Sequence, residues 1–396
     1  MRAARRGRLR IAVGVVVLLA CAGCGDGSGD HPATATPTGL PTVSPTPLSP
    51  TPTATASPFP EVLLAVGRSF DDPDGAETPL VLRNDGEGWQ RVSVASPPLT
   101  LFDGIVFSAP ETAWAFGFRG DQQTPVLLRS DDVGRSWTDV TETLPANCPG
   151  IADMAFASAD VGYLVARGIL SPRTVFRTSD QGRSWQQLEP FQTGALPGAY
   201  ALATRGAVAE LVRHDSDGLF VVPIDPVGDQ TSLSASGGTR ITGQDAFVAF
   251  GPRGWIAATE PAAILSSAAP GEPWLAQSID QAFGELRAID VRDPGNGIAA
   301  GRGGTPATTA LAPLVLVSDD TETWRRASIT GAPADMIVVD VLRERGDGAW
   351  ALADGISTPV SVFLRSTDGG PSWHREPTEF DHGVRMTDLA RNTAMR

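Results

Sequence analysis

The sequence predicts an all-β chain closed into a seven-bladed β-propeller, and three observations carry that prediction. An eight-residue spelling returns three times, as Ser130-Asp-Asp-Val-Gly-Arg-Ser-Trp137, Thr178-Ser-Asp-Gln-Gly-Arg-Ser-Trp185 and Ser366-Thr-Asp-Gly-Gly-Pro-Ser-Trp373. Worn copies stand between these: Asn84-Asp-Gly-Glu-Gly-Trp89, Asp215-Ser-Asp-Gly218, Ser267-Ala-Ala-Pro-Gly-Glu-Pro-Trp274 and Ser318-Asp-Asp-Thr-Glu-Thr-Trp324. With the Asp position of each copy at 85, 132, 180, 217, 269, 320 and 368, the steps are 47, 48, 37, 52, 51 and 48. A four-stranded propeller blade has a period of about 40 to 50 residues. From Glu61 onward the chain is made of short β-rich runs broken by Gly, Pro and Asp, without helical periodicity.

Each unit reads in the same order. An apolar run comes first: Ile105-Val-Phe, Met154-Ala-Phe, Ala246-Phe-Val-Ala-Phe, Ile289-Asp-Val and Ile337-Val-Val-Asp-Val. Next comes an aromatic or Ile followed by small residues: Trp114-Ala-Phe-Gly, Tyr163-Leu-Val-Ala, Trp255-Ile-Ala-Ala, Ile298-Ala-Ala-Gly and Trp350-Ala-Leu-Ala. These are the expected inner and second strands. Val126-Leu-Leu-Arg, Val175-Phe-Arg, Leu314-Val-Leu-Val and Val362-Phe-Leu-Arg are the expected third strands, leading into the repeat, with a fourth strand leaving it. The repeat suits a hairpin turn, because hydroxyl and carboxylate can bond turn amides, Gly supplies a positive φ and Trp brings a large apolar body. At the ends, Glu61-Val-Leu-Leu-Ala-Val-Gly reads as a second strand without an inner one, and Met386-Thr-Asp-Leu-Ala-Arg as an inner strand with nothing after it. Joined, they complete the seventh blade and remove an exposed sheet edge.

The spelling Ser/Thr-x-Asp-x-Gly-x-x-Trp resembles the Asp-box of sialidase-like and related bacterial propellers. That resemblance implies structural roles on the propeller rim, away from the central site, for Ser130, Asp132, Gly134 and Trp137, for Thr178, Asp180, Gly182 and Trp185, and for Ser366, Asp368, Gly370 and Trp373. The sequence of inner strand, small-residue strand with Trp or Tyr, and Asp-Gly-Arg-Ser-Trp or a near variant is also similar to photosystem II assembly factor-like propellers and their lipoprotein relatives. This second resemblance covers residues 61–396 and implies a seven-bladed binding scaffold.

Composition excludes several functions. All 31 basic residues are Arg, so P-loop lysines, Schiff-base lysines and Ser-Lys dyads are absent. Without the five arginines before residue 11, 26 remain against 45 acids, a formal charge of −19. A body so acidic repels phosphate backbones, so nucleic acid is not an expected partner. The cysteines are Cys21, Cys24 and Cys148. Cys148 reads as a loop or buried thiol, and no disulfide framework is available to the folded body.

Residues 1–20 have the basic start and apolar run of an export signal, too short to span a bilayer. Leu18-Leu-Ala-Cys-Ala-Gly-Cys24 resembles a bacterial lipobox, with Cys21 as the expected lipidated residue and Cys24 as the alternative. Residues 21–60 are rich in Pro, Thr and Ser and read as an extended stalk. A domain of residues 61–396 is thus expected on the bacterial cell envelope, periplasmic or extracellular, reaching the membrane through its lipid anchor only.

Catalytic signals are sparse. Sialidases share an Arg-Ile-Pro motif, three carboxylate-gripping arginines and a Tyr nucleophile assisted by Glu; Arg-Ile-Pro is missing here, and the tyrosines are Tyr163 and Tyr200. Tyr163 falls at a strand position that Trp fills in other blades, which points to packing, while Tyr200 lies in the inner-strand run of blade 4. His31, His214, His374 and His382 are scattered, so no zinc set can be drawn. Asp71-Asp-Pro-Asp-Gly75 lacks the length and final Glu of a calcium loop, and Gly301-Arg-Gly-Gly304 is not followed by the helix of a phosphate cradle. The expected function is therefore a non-enzymatic binding or assembly scaffold, without cofactor or metal, for an unknown protein or envelope polymer. The alternative is an exo-sialidase-like or other glycosidase.

Overall fold

The structure, a computed structural model, describes residues 61–70, 77–94, 99–119, 124–167, 174–188, 200–205, 208–215, 218–224, 239–241, 245–250, 253–259, 263–269, 272–279, 283–292, 295–305, 308–358, 360–378 and 384–392. The expected export signal and stalk, with Cys21 and Cys24, lie outside the described residues, as do His31, His382 and residues 71–76.

The strands form seven sheets, and each sheet is one antiparallel blade. Blade 1 has Val384–Arg391 innermost, then Leu63–Ser69, Thr78–Asn84 and Trp89–Val92. Blade 2 runs outward through Leu99–Phe107, Ala113–Arg119, Pro125–Ser130 and Thr138–Asp139, and blade 3 through Ile151–Phe156, Gly162–Ala166, Val175–Thr178 and Gln186–Gln187. Blade 4 comprises Tyr200–Arg205, Val208–Asp215, Gly218–Ile224 and Thr239–Ile241; blade 5 comprises Asp245–Phe250, Gly254–Thr259, Ala263–Ser267 and Leu275–Ala276. Blade 6 contains Phe283–Arg292, Asn296–Thr305, Thr308–Ser318 and Thr323–Arg326, and blade 7 Met336–Arg343, Ala349–Gly355, Ser361–Ser366 and Ser372–Glu376. The linkers entering blades 6 and 7 add a fifth strand, Ser278–Ile279 and Ser328–Thr330, parallel to the outer strand.

Each inner strand touches the inner strands on both sides, so the seven form a closed ring. Closure is as expected: Leu63–Ser69 pairs with Val384–Arg391, Leu63 opposite Arg391 and Ser69 opposite Val384. One reading is corrected. Asp215 pairs with Gly218 across the hairpin joining the second and third strands of blade 4, so Asp215-Ser-Asp-Gly218 is at the opposite end of the blade from the repeat turns. The irregular spacing around residue 217 reflects that placement, and residues 225–238, between the third and fourth strands of blade 4, lie outside the described residues.

Blades stack face to face, so a middle strand is buried on both sides and reads as a continuous apolar run. Leu63–Ser69 illustrates this, with Leu64 and Val66 in the cluster shared with blade 2 and Leu63 and Ala65 in the cluster shared with blade 7. Among the described residues the core is seven such wedges, one at each interface. The second-strand aromatic of a blade enters the wedge toward the next blade, and the repeat Trp enters the wedge toward the preceding one. Trp350 of blade 7 thus meets Trp89 of blade 1 edge-on at 5.4 Å, and Trp255 of blade 5 meets Trp324 of blade 6 at 6.1 Å. Trp89, Trp137, Trp324 and Trp373 are buried, while Trp185 and Trp274 are half-buried.

In the eight-residue turns, the hydroxyl and carboxylate divide the turn amides between them. Ser130 Oγ donates to Asp132 Oδ1 and accepts from Gly134 N, both at 2.8 Å. Asp132 in turn accepts from Ser136 N at 2.8 Å and Ser136 Oγ at 2.5 Å. Thr178, Asp180, Gly182 and Ser184 repeat these four contacts, as do Ser366, Asp368, Gly370 and Ser372. The glycine has two causes: φ is +79°, +75° and +114° at Gly134, Gly182 and Gly370, and a Cβ there would meet Leu64, Trp114 and Val317 of the preceding blade at 2.6, 2.5 and 2.8 Å. The one-residue-short copy keeps Ser318 and Asp320 but puts Thr321 at φ 61°. In blade 1, Asn84 takes the hydroxyl's place, with its Oδ1 accepting from Gly86 N at 2.8 Å.

Replacing Trp137 or Trp373 by Ala should lower stability by about 3–5 kcal/mol, the usual cost of truncating a buried aromatic. Trp185→Ala should cost less, and urea unfolding of the three variants measures the order. Removal of residues 384–396 should leave blade 1 without its inner strand; light scattering and calorimetry should then show aggregation or loss of the single cooperative transition.

Candidate functional site

The inner strands converge on the axis, and there the chain places an unexpected set of aspartates within otherwise apolar runs. Asp388 of blade 1, Asp340 of blade 7 and Asp153 of blade 3 each follow a bulged residue, Thr387, Val339 and Ala152, that has no partner on the second strand. An extra residue of this kind breaks the ladder and re-aims the side chains beside it. Each carboxyl then reaches sideways to the next blade. Asp340 Oδ2 accepts from Leu389 N of blade 1 at 2.8 Å, Asp388 Oδ2 from Ile105 N of blade 2 at 2.8 Å, and Asp153 Oδ2 from Leu202 N of blade 4 at 2.7 Å. Asp290 of blade 6 does the same for Arg343 N of blade 7 at 2.7 Å. The second oxygen takes the following amide of its own strand, as Asp153 Oδ1 does from Met154 N at 2.8 Å and Asp340 Oδ1 from Val341 N at 2.7 Å. Gly104 on blade 2 leaves the space, since a Cβ there would lie 3.1 Å from Asp388 Oδ2.

Burial dominates the electrostatics at these positions. It pushes the Asp153 carboxyl up to about 7 against the opposing pull of its amide bonds. Asp340 and Asp388 are raised by burial, and Asp388 further by the charge of Asp340 beside it. Around the start of the inner strands acids are paired with arginines instead: Asp103 with Arg167 at 3.1 Å, Asp354 of a second strand with Arg385 at 2.8 Å and Glu285 with Arg287 at 3.3 Å. The rim turns behave oppositely to the axis. The hydrogen bond from Ser184 leads those that lower Asp180; at Asp132 and Asp368 burial works upward but is outweighed by bonds from Ser136 and Ser130 and from Ser372 and Ser366, leaving Asp368 at about 2.

Chain comparisons give the fold and no closer kinship. No protein-family model matches the chain, and no curated protein matches it. Its fold is that of known β-propellers. The GH74 xyloglucanase from Xanthomonas campestris superposes with a TM-score of 0.51 at 19% identity over 74% of this chain, which spans about half (47%) of the xyloglucanase. A protein from Lactobacillus plantarum gives 0.56 at 12% identity, with 84% of this chain and 99% of that one covered. YCF48 from Cyanidioschyzon merolae gives 0.48 at 17% identity, with 72% and 87% covered.

The structure separates the residues singled out by sequence. Tyr163 is wholly buried in the wedge between blades 3 and 4, and its hydroxyl makes no hydrogen bond among the described residues. Tyr200 begins the inner strand of blade 4 opposite Arg213. Cys148 is buried, donates to Gly150 O at 3.4 Å and has its thiol pushed up to about 11 by burial, which leaves it unreactive. Gly301-Arg-Gly-Gly304 lies within the second strand of blade 6. Among the described residues no cluster of His, Cys, Asp and Glu has the geometry of a metal site.

Three sets of contributors escaped the sequence reading, although each had left a signal. The Ser before each repeat Trp (Ser136, Ser184, Ser372) closes the turn, and it recurs in all three copies. The Arg ending a third strand crosses to the next blade's turn: Arg83 Nε donates to Val133 O and an Arg129 guanidinium nitrogen to Gln181 O, both at 3.1 Å. In blade 6 Val317 stands at that position, and Arg343 of blade 7 bonds Gly369 O at 3.0 Å instead. The axial aspartates are the third set, visible as a lone Asp recurring in apolar inner-strand runs.

Asp153 generates a pH prediction. In the unfolded chain it ionises near the ordinary value of about 3.9, whereas in the folded chain it holds its proton to about 7. Its contribution to stability is therefore full below the unfolded value and is lost as pH rises through about 7. The urea midpoint of the protein should fall between about pH 4 and about pH 7, and Asp153→Asn should flatten that slope.

Proposed function

We propose that the chain is an envelope-anchored lipoprotein whose propeller is a non-enzymatic binding or assembly scaffold, with its eight-residue turns acting as Asp-boxes. The observation that carries this reading is the state of the axial acids. Asp153, Asp340 and Asp388 each accept two backbone amides and hold inner strands together. A glycosidase needs two carboxyl groups facing a sugar about 5 to 10 Å apart, one free to give its proton and the other to attack or activate water. Carboxyls bonded into the backbone in this way are structural braces. The negative charge of the folded part favours a basic or neutral partner, protein or envelope polymer.

The lipobox-like Leu18-Leu-Ala-Cys21 and the Pro-rich segment behind it support tethering through Cys21, or through Cys24 in the alternative register. Two measurements test the proposal. Mass spectrometry of the mature N-terminus should find acyl chains on one of these cysteines, and a freely soluble, unmodified protein would count against the anchor. Protein lacking residues 1–60 should release nothing from sialosides or aryl glycosides. Turnover lost on Tyr200→Phe would replace the scaffold by a sialidase-like enzyme, and turnover lost only on carboxylate changes would replace it by another glycosidase.

A further inference from the structure

Blade 1 is closed differently from the others. In the other six blades the inner strand leads directly along the chain into the second strand, whereas Val384–Arg391 is held to Leu63–Ser69 by hydrogen bonds and packing without a chain connection. At this strand two carboxyls meet on one donor. The Leu389 N–H is shared between Asp340 Oδ2 at 2.8 Å and Asp388 Oδ1 at 3.0 Å, which brings the two carboxyls together. Two buried carboxylates so close repel, and burial raises both groups, so the pair favours holding a proton. The outer oxygens complete a chain across three blades, with Asp340 Oδ1 on Val341 N at 2.7 Å and Asp388 Oδ2 on Ile105 N at 2.8 Å. Thr387, the preceding residue, braces the same junction with its single hydroxyl proton shared between Val66 O at 3.1 Å and Phe102 O at 2.9 Å.

The groups around the pair are mixed in sign. The charge of Asp290 of blade 6 raises Asp340, and that of Asp153 of blade 3 raises Asp388 once Asp153 has itself lost its proton. On the positive side, Arg391 stands 3.9 Å from Asp290, and Arg343 turns its guanidinium outward to Gly369 O. Farther along the same strands Arg385 is taken by Asp354, Arg167 by Asp103 and Arg68 by Glu77.

We propose that Asp340 and Asp388 form a proton-operated latch on ring closure: with a proton between them they tie Val384–Arg391 to blades 7 and 2, and without it two carboxylates repel across one amide and the strand loosens. The device acts where the ring has no covalent turn to hold it. Its consequence is a closed, rigid ring in mildly acidic surroundings and an axis that opens toward alkaline pH.

Hydrogen exchange followed by mass spectrometry tests this on the intact protein. After correction for intrinsic exchange, protection of Val384–Arg391 relative to Ala349–Gly355 should fall about tenfold or more between about pH 5 and about pH 8. Over the same range the infrared band of a protonated carboxyl should titrate away. Asp388→Asn and Asp340→Asn each remove the shared proton, and each should flatten the pH dependence of the strand. A constant ratio in the wild-type protein overturns the latch, as does an infrared band that titrates while the ratio stays fixed, or an Asn variant that keeps the wild-type slope. Should neither variant fold, the two wild-type measurements decide the matter alone.

Discussion

A propeller blade has two apolar faces and therefore needs two neighbours, a condition that only a closed ring meets for every blade. The rest of this structure follows from that constraint. It explains why the middle strands are apolar on both sides, why the core is divided into wedges, and why blade 1 is assembled from segments as far apart as Leu63–Ser69 and Val384–Arg391. Burial of aromatic area supplies much of the cohesion, and the repeat distributes it: one large ring from a second strand and one from a turn enter the same wedge, as Trp350 and Trp89 do.

Apolar packing has no preferred register, so directional bonds fix how one blade sits on the next. They act at two radii. At the rim, a turn presses its glycine onto the preceding blade, as Gly134 does on Leu64, and takes an Arg from it, as Val133 O does from Arg83. At the axis, an inner-strand Asp takes an amide of the following blade. Rim and axis together resist both splaying and shear, which a greasy wedge by itself does not.

The two aspartate populations also have opposite acid–base character, and the cause is solvation. Rim aspartates such as Asp180 lie near water and are stabilised as anions by hydroxyl and amide donors, so their contribution is kept above the ordinary carboxylate range and lost in strong acid. Axial aspartates are buried beside one another and hold protons, so their contribution is kept in acid and lost toward alkaline pH. Mildly acidic conditions satisfy both. An acidic chain folded around buried acids is thus braced by protons at the axis and by charge at the rim.

Fold class, blade number, strand order and ring closure were legible in the sequence because a repeat states them several times over, and because Trp137, Trp185 and Trp373 mark the same place in each unit. Blade 4 was misread for the matching reason: Asp215-Ser-Asp-Gly218 copies part of the spelling but lacks the Trp, and a short Asp-Gly pair suits any hairpin. The chain by itself therefore determined the repeating unit, its count, and the burial of Tyr163 at a packing position, since these depend on local pattern and period. Only the tertiary structure decided that Asp340 and Asp388, 48 residues apart, share one amide at the closing strand, and that Arg83 serves the turn of the next blade. The physical reason is that a recurring Asp or Arg within a strand marks a position but not a partner; the partner is set by how blades dock, and docking is a property of the closed ring.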